Sequence, residues 1–368
     1  MANLALYRKY RPKTFKEVVG QEHVVQTLRS AVANNLLSHA YVFSGPRGSG
    51  KTTIARLLAK AVNCKAPKEG EPCNACSSCV ELNAQRSMDL VEIDAASNRG
   101  IDEMRALKEG IGFLPAVLTY KVFIIDEAHQ LTKEAANALL KTLEEPPSHA
   151  MFILATTELH KMIPTIVSRC QRYDFRRLRV EEIVKRLQSL VKNEKANIEP
   201  AALELVALNS GGSLRDAESL LDKVLTFHAG NGKNSVVSTK EVEELLGIVD
   251  LNILASFVDL LLGKDAAKAV EYLNSRLEQG MDPYEFAKNL TAYLREALLL
   301  KVSPNLKTEL LQGFTKEQQE KILSQSAKAE LPKLQKIVSH FEEAENRMKY
   351  ASIVQLPLEL AIIDSCSQ

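Results

Sequence analysis

Apolar and polar positions follow two different patterns along this chain, and the change-over falls near residue 178. Before it, short apolar runs recur between helical patterns: Ala40–Phe43, Asp89–Ile93, Lys121–Ile125, Met151–Ala155 and Cys170–Phe175. Runs of this length, bounded by polar segments, read as strands, and their alternation with helical periods predicts a parallel sheet covered by helices. From about Leu178 onward the strand signals stop. Residues 179–243 give amphipathic helices around Gly211-Gly212. His228 to Val237, rich in Gly, Asn and Ser, reads as a polar linker, and Ser238-Thr-Lys-Glu241 as a capping box opening the next helix. Residues 244–368 are helical throughout. Phe286, Leu290, Tyr293, Leu294 and Ala297 share one helix face, as do Leu334, Ile337, Val338, Phe341 and Ala344. The expected architecture is therefore an α/β domain with a five-stranded parallel sheet over 1–178, a small helical domain over 179–243 and an all-α domain over 244–368.

Composition fits soluble globular domains. The chain has 368 residues, 45% hydrophobic and 25% charged, with a net charge of +1. That balance gives no global field to attract nucleic acid, so any such contact must come from local patches such as Arg8, Lys9, Arg11 and Lys13. A solvated surface explains that run equally well. No apolar leader and no stretch approaching 18 uninterrupted apolar residues is visible, so a cytoplasmic protein without a membrane partner is expected.

The first chemical signature is Gly45-Pro46-Arg47-Gly48-Ser49-Gly50-Lys51-Thr52, with Thr53 following. It comes directly after the apolar run Tyr41-Val42-Phe43 and opens into a helical pattern through Ile54, Leu57, Leu58 and Ala61. A phosphate loop works only at such a strand-to-helix turn. Its glycines allow a tight turn whose N–H groups close on phosphate oxygens, and the helix N-terminus adds partial positive charge. Lys51 can reach the outer phosphates, and the Thr52 hydroxyl can hold Mg²⁺. The chain is expected to bind a nucleoside triphosphate.

The run Val122-Phe-Ile-Ile-Asp126-Glu127-Ala-His129 supplies a second half-site. Asp126 at the strand end can hold the Mg²⁺ shell, and Glu127 can orient or deprotonate an attacking water. Met151–Ala155 ends in Thr156-Thr157-Glu158, where a polar side chain can position water. Arg169 and Arg215 stand in Ser168-Arg-Cys170 and Gly212-Ser-Leu-Arg-Asp-Ala217. Spacing alone leaves both arginines as surface or ion-pair residues.

Six cysteines are unevenly spread. Cys64, Cys73, Cys76 and Cys79 cluster, while Cys170 and Cys366 stand alone and read as buried small hydrophobes. Four clustered soft ligands suit a closed tetrahedral Zn²⁺ site, with a redox or disulfide pair as the alternative. The cluster interrupts the α/β pattern and reads as a small inserted module.

In order along residues 7–217 stand Tyr7-Arg-Lys-Tyr-Arg11-Pro12, the phosphate loop, the four cysteines, Ile125-Asp-Glu-Ala-His129, Leu139-Leu-Lys-Thr-Leu-Glu-Glu-Pro-Pro147, Ser168-Arg-Cys170 and Gly212-Ser-Leu-Arg-Asp-Ala217. Together they closely resemble the tau/gamma subunits of bacterial DNA polymerase III clamp loaders, a branch of the AAA+ ATPases. Beyond 244 the resemblance rests on position and helical character. It implies a P-loop AAA+ domain, a helical lid and a collar that holds a pentameric ring together. Its cofactors would be ATP, Mg²⁺ and a structural Zn²⁺.

By matching position, Arg169 resembles the finger that reaches a neighbouring subunit's γ-phosphate. Thr157 resembles a first sensor residue and Arg215 a second, while Arg11, Val18 and Val19 resemble the adenine-side contact. The implied partners are other loader subunits, the sliding clamp and primed DNA bound through its backbone, with Arg99 and Arg105 as candidate phosphate contacts or simply solvated charges. Longer family members add domains for the polymerase core and replicative helicase. The implied activity is ATP hydrolysis coupled to clamp loading. No polymerase active site is visible, so nucleotidyl transfer would attach to such a chain only through the holoenzyme. A non-hydrolysing nucleotide-binding scaffold and another AAA+ DNA-remodelling motor are the rival readings.

Overall fold

The computed structural model describes residues 4–84, 86–97, 110–231, 236–247, 249–307, 311 and 316–367. It divides into two compact units, Met1–Thr239 and Lys240–Gln368. Arg99 and Arg105 lie outside the described residues.

The first unit opens with α1 (Leu6–Lys9) and α2 (Glu22–Ala33), followed by strand β1 (Ala40–Ser44) and α3 (Lys51–Val62). The cysteine segment carries α4 (Ser77–Asn83) and leads to β2 (Leu90–Asp94). Then come β3 (Lys121–Asp126), α5 (Lys133–Glu144), β4 (Ala150–Thr156), α6 (Pro164–Val167) and β5 (Gln171–Asp174). All five strands pair in parallel in the order β2-β3-β4-β1-β5. Each strand lies within a residue or two of its expected position.

The two faces of the sheet are built by alternate residues of the same strands, as a period of two requires. Val42, Phe123, Ile125, Phe152 and Leu154 face a core that includes Leu139 and Leu143 of α5. Tyr41, Phe43, Val122, Ile124 and Ile153 face the opposite core, with Val24 and Leu28 of α2 and Ile54 and Leu58 of α3. Every residue of central β4 is buried, whereas edge strand β5 buries only Tyr173. Phe123 and Phe152 stack across β3 and β4 at 5.3 Å between centroids. Burying each such side chain stabilises the fold by about 1.5–3 kcal/mol, so the cores fix the strand register. That register sets the carboxyl ends of β1, β3 and β4 side by side along one edge of the sheet, where open α/β sheets bind ligands.

Three helices follow: α7 (Val180–Asn193), α8 (Pro200–Asn209) and α9 (Leu214–Asn231). Gly211 and Gly212, both at positive φ, make the turn between α8 and α9. The expected linker from His228 is corrected at both ends. Helix α9 runs on through Asn231, because its buried Leu221 and Val224 continue a helical face that the polar composition of the segment hides. Val237 is buried rather than solvated, and its backbone pairs with Asn197 and Glu199.

In the second unit, α10 (Thr239–Leu246) starts at the junction between the units. It is followed by α11 (Leu251–Leu262), α12 (Ala266–Glu278), α13 (Pro283–Val302), α14 (Lys316–Lys328), α15 (Leu331–Met348) and α16 (Leu356–Cys366). Phe257, Phe286 and Phe341 meet edge-on at its centre, with Phe257 centroids 5.0 and 6.1 Å from the other two. Phe286, Leu290, Tyr293, Leu294 and Ala297 point into this core, as do Ile337, Phe341 and Ala344 of the second face, with Val338 only partly buried. Among the described residues, no single helix is long and apolar enough to cross a membrane.

Candidate nucleotide site and cysteine cluster

The segment between β1 and α3 turns through glycines at positive φ, which favours glycine. Gly48 sits at φ +75°, and a Cβ there would fall 1.8 Å from the Ser213 hydroxyl at the start of α9. Gly50, at φ +99°, is the N-cap of α3, and no side chain caps that helix. A Cβ on Gly50 would meet nothing within 4 Å. The space over the helix start is therefore open, and the terminal N–H groups of α3 have no side-chain acceptor. Both features suit phosphate oxygens.

Lys51 is only 6% exposed, and its Nζ donates to the carbonyls of Gly45 (2.7 Å) and Pro46 (2.8 Å). Burial pushes its pKa down, against the pull of the Glu127 and Asp126 carboxylates. A desolvated ammonium held by neutral carbonyls is poised to bind an anion. Thr52 Oγ1 donates to Asp126 Oδ2 at 2.8 Å, which joins the α3 start to the end of β3. Glu127, the next residue, takes left-handed backbone geometry at φ 48°, ψ 43°. A non-glycine residue there is strained, and such strain persists where surrounding structure imposes it.

The Glu127 carboxylate is held from the next strand over. Thr157, just after β4, donates its hydroxyl to Glu127 Oε2 at 2.8 Å. His129 Nδ1 lies 3.5 Å from the same oxygen and 2.9 Å from Thr156 Oγ1, and its Nε2 is 3.2 Å from Glu158. His129 was part of the recognised motif, but its place beside Glu127 had no signal beyond the two-residue spacing. Thr157, expected to help position water, is brought against the carboxylate of Glu127.

The cleft itself is lined by Arg47, Gly48, Ser49, Gly50, Lys51, Thr52 and Thr53, by Asp126 and Glu127, and by Arg11, Val18, Val19 and Arg215. These are residues that the sequence singled out. Gly45 and Pro46 stand behind the lining as acceptors for Lys51. Tyr7, Pro12, Leu178, Leu214 and Glu218 complete the cleft, and none was assigned a role from sequence. One end thus offers cations and free N–H groups, and the other an apolar lining of Val18, Val19, Leu178 and Leu214. An amphipathic ligand with a flat ring and a polyphosphate tail fits both ends.

Glu218 is a third carboxylate in the cleft, beside Asp126 and Glu127. Burial pushes its pKa up while Arg186 draws it back, with Arg186 Nε 3.1 Å from Glu218 Oε1. Arg186 also donates to the Tyr10 carbonyl, tying the Tyr7–Pro12 segment to α7 and α9. Arg169 lies apart from the cleft. It pairs with Glu144 at 2.7 Å and donates to the Thr165 carbonyl at 2.8 Å. Both side chains of that pair are substantially exposed, so it contributes little to stability.

The four cysteines converge. Cys64 follows α3, Cys73 and Cys76 lie on the connecting loop, and Cys79 belongs to α4; their sulfurs all fall within 4.8 Å of one another. Thiolates about 2.3 Å from a tetrahedral Zn²⁺ stand roughly 3.8 Å apart, so this donor set fits the ion closely. Backbone N–H groups of Cys73 and Cys76 donate to the sulfurs of Cys64 (3.2 Å) and Cys73 (3.3 Å). The N–H groups of Ala75 and Cys76 lower the Cys73 pKa to about 6. The module is fastened to α3 by Lys60, 4% exposed, whose Nζ donates to Lys13 O, Asn74 Oδ1 and Asn83 Oδ1 at 2.7–2.9 Å. Of the two lone cysteines, Cys366 is buried as expected, whereas Cys170 is only partly buried, packed against the core under α5, and that burial pushes its thiol up to about 12.

Comparisons with known proteins cover nearly the whole chain. Residues 20–179 match a model described as DNA polymerase III, delta subunit. Residues 182–230 match the DNA polymerase III clamp loader subunit, ATPase lid domain. Residues 237–368 match domain III of the DNA polymerase III subunits gamma and tau. The tau subunit of Bacillus subtilis is 40% identical over 366 residues, covering 100% of this chain and 64% of that protein. The tau subunit of Escherichia coli is 40% identical over 83% of this chain and 46% of its own length. The gamma subunit of Buchnera aphidicola is 35% identical over 82% of this chain and 80% of its own length. The chain thus spans less than two thirds of the two tau relatives. Among solved structures, Thermotoga maritima RuvB, a Holliday junction branch migration motor, is 21% identical over 68% of this chain and 79% of that one, with a TM-score of 0.48. With its phosphate loop, parallel five-stranded sheet and helical lid, the first unit has the AAA+ nucleotide-binding fold, and the chain belongs to the DNA polymerase III gamma/tau subunit family.

Proposed function

We propose that this chain is an ATPase motor subunit of a bacterial replicative clamp loader, using ATP to load a sliding clamp onto primed DNA in the cytoplasm. The observation that carries the reading is the convergence of Lys51, Thr52, Asp126 and Glu127 in one cleft. A non-hydrolysing scaffold has no need for an acid held in strained geometry beside the phosphate loop.

In this reading the ATP phosphates occupy the open space over Gly50, and the adenine lies along Val18, Val19 and Leu178 with Arg11 at the edge. Lys51 exchanges its loop carbonyls for β/γ-phosphate oxygens. Thr52 and Asp126 would hold a Mg²⁺ ion, whose charge would stabilise the phosphates as they react. Glu127 takes the proton of the attacking water, and the Thr157 hydroxyl fixes the carboxylate oxygen that does not receive it. Arg215 contacts the terminal phosphate from the same subunit, and Arg169 reaches the cleft of a neighbour.

The zinc module over residues 64–79 is structural in this account, since four thiolates leave no open coordination position. We assign 1–178 to the ATPase domain, 179–243 to the lid and 244–368 to the oligomerisation collar. The partners are other loader subunits in a pentameric ring, the clamp and primed DNA. The polymerase core and replicative helicase would be reached through residues beyond 368. Polymerase activity itself belongs to the wider holoenzyme rather than to these side chains.

Glu127→Gln tests the chemistry. It should keep Mg·ATP affinity while lowering turnover in the assembled loader by about 10²–10⁴, the range for loss of a general base. Turnover at the wild-type rate would remove Glu127 from the mechanism.

A further inference from the structure

Arg215 is a cation in the cleft with no carboxylate to balance it. Among the described residues, none lies within 4 Å of its guanidinium. Its contact is with an aromatic ring: the Arg215 Cζ lies 5.0 Å from the centroid of Tyr7, and both residues line the cleft that holds Lys51 and Thr52. A guanidinium over a tyrosine ring is held largely by the ring quadrupole, an attraction that does not consume N–H donors in ion pairs.

Tyr7 is itself fixed in place. Arg8 Nε donates to the Tyr7 hydroxyl at 3.0 Å. The short helix α1 that carries it is fastened to the lid helices at two points. Asp222 Oδ2 accepts from the Leu6 N–H at 3.4 Å, and Glu194 accepts from Lys9 Nζ at 2.6 Å. Asp222 lies on α9, two turns beyond Arg215 itself. The ring and the guanidinium are therefore anchored to the same helix.

We propose that Tyr7 is a positioning residue that orders Arg215 for the terminal phosphate, and so sets the preference of this site for nucleoside triphosphate over diphosphate. The inference rests on the role assigned above to Arg215. An unrestrained arginine loses rotamer freedom when it takes up a phosphate. The Tyr7 side chain removes part of that freedom beforehand, and no carboxylate occupies the guanidinium's remaining N–H donors. The benefit is confined to ligands that Arg215 touches, which is why it separates triphosphate from diphosphate and does not act on the Lys51 end of the cleft.

The experiment measures dissociation constants of Mg·ATPγS and Mg·ADP for the whole chain in five forms: wild type, Tyr7→Leu, Tyr7→Phe, Arg215→Ala and the double variant Tyr7→Leu/Arg215→Ala. Tyr7→Leu should weaken ATPγS by about three- to tenfold, the size of a cation–π contact, and lower the ATPγS:ADP preference by the same factor. Tyr7→Phe, which keeps the ring, should rescue most of that loss. In the Arg215→Ala background, Tyr7→Leu should add nothing. The platform is overturned if Tyr7→Leu weakens both nucleotides equally, weakens neither, or acts undiminished without Arg215. If Arg215→Ala itself leaves ATPγS affinity at the wild-type value, the role given to Arg215 fails and the platform fails with it. An Arg215→Ala loss alongside an inert Tyr7→Leu removes the platform alone.

Discussion

The Thr52 hydroxyl donates to Asp126 Oδ2 at 2.8 Å, although the two residues are 74 positions apart and β1, which leads into α3, is not a neighbour of β3 in the sheet. Strand β4 lies between β1 and β3, so the contact is made by the first turn of α3 reaching across a strand. One divalent cation bound by both residues would stand where the phosphate loop meets the acidic end of β3.

Lys51→Ala removes the buried ammonium but no core side chain. Nucleotide affinity should fall by about 100-fold or more, from the loss of two charge-assisted hydrogen bonds. Equilibrium titration with Mg·ATPγS checks this, and wild-type affinity would exclude the phosphate loop as the binding element.

One Zn²⁺ per chain should be found by elemental analysis of the purified protein. Cys76→Ser should lower that content and expose Cys64 and Cys79, both buried, to alkylation. ATP binding should survive at least in part, because the cleft lining includes none of the four cysteines. Metal-free wild-type protein with protected thiols would contradict the assignment.

Much of this was legible in the chain. Strand positions followed from apolar runs, since a residue such as Phe152 has few places to go but a core. The phosphate loop, Asp126 and Glu127 followed from motifs with narrow chemical reasons. What stayed hidden depends on contacts distant in sequence. Nothing marks Thr157 as the partner of Glu127, because the two stand 30 positions apart across a helix and a strand whose packing sets the distance. Tyr7 and Glu218 enter the cleft only through the docking of α1 and α9. The polar end of α9 misled in the other direction: residues 228–231 look like a linker, yet the helix below them holds its backbone.

Helix α16 leaves Leu356, Leu360 and Ile363 between 43% and 47% exposed, spaced as one helical stripe. If the 244–368 region is a collar, this stripe belongs to the subunit interface. Leu360→Glu/Ile363→Glu should shift the oligomer toward monomer by light scattering while leaving nucleotide affinity intact. An unchanged oligomer would move the interface elsewhere.

Arg169→Ala should leave ATP binding nearly unchanged, because the side chain is outside its own cleft, and should abolish stimulated hydrolysis. Mixing Arg169→Ala subunits with Lys51→Ala subunits pairs some intact phosphate loops with intact arginines across interfaces. Activity should partly return once labelled chains show that subunits exchange. Exchange without recovery would return Arg169 to a surface ion pair with Glu144.

The central claim is that ATP hydrolysis at this cleft serves clamp loading. It is tested most directly by the ATPase rate of the chain reconstituted with partner loader subunits, with and without the clamp and primed DNA. The account predicts a low basal rate that rises when clamp and primed DNA are both present, and no such rise when Glu127→Gln replaces the wild-type chain. A rate indifferent to clamp and DNA, or stimulation that survives Glu127→Gln, would contradict it.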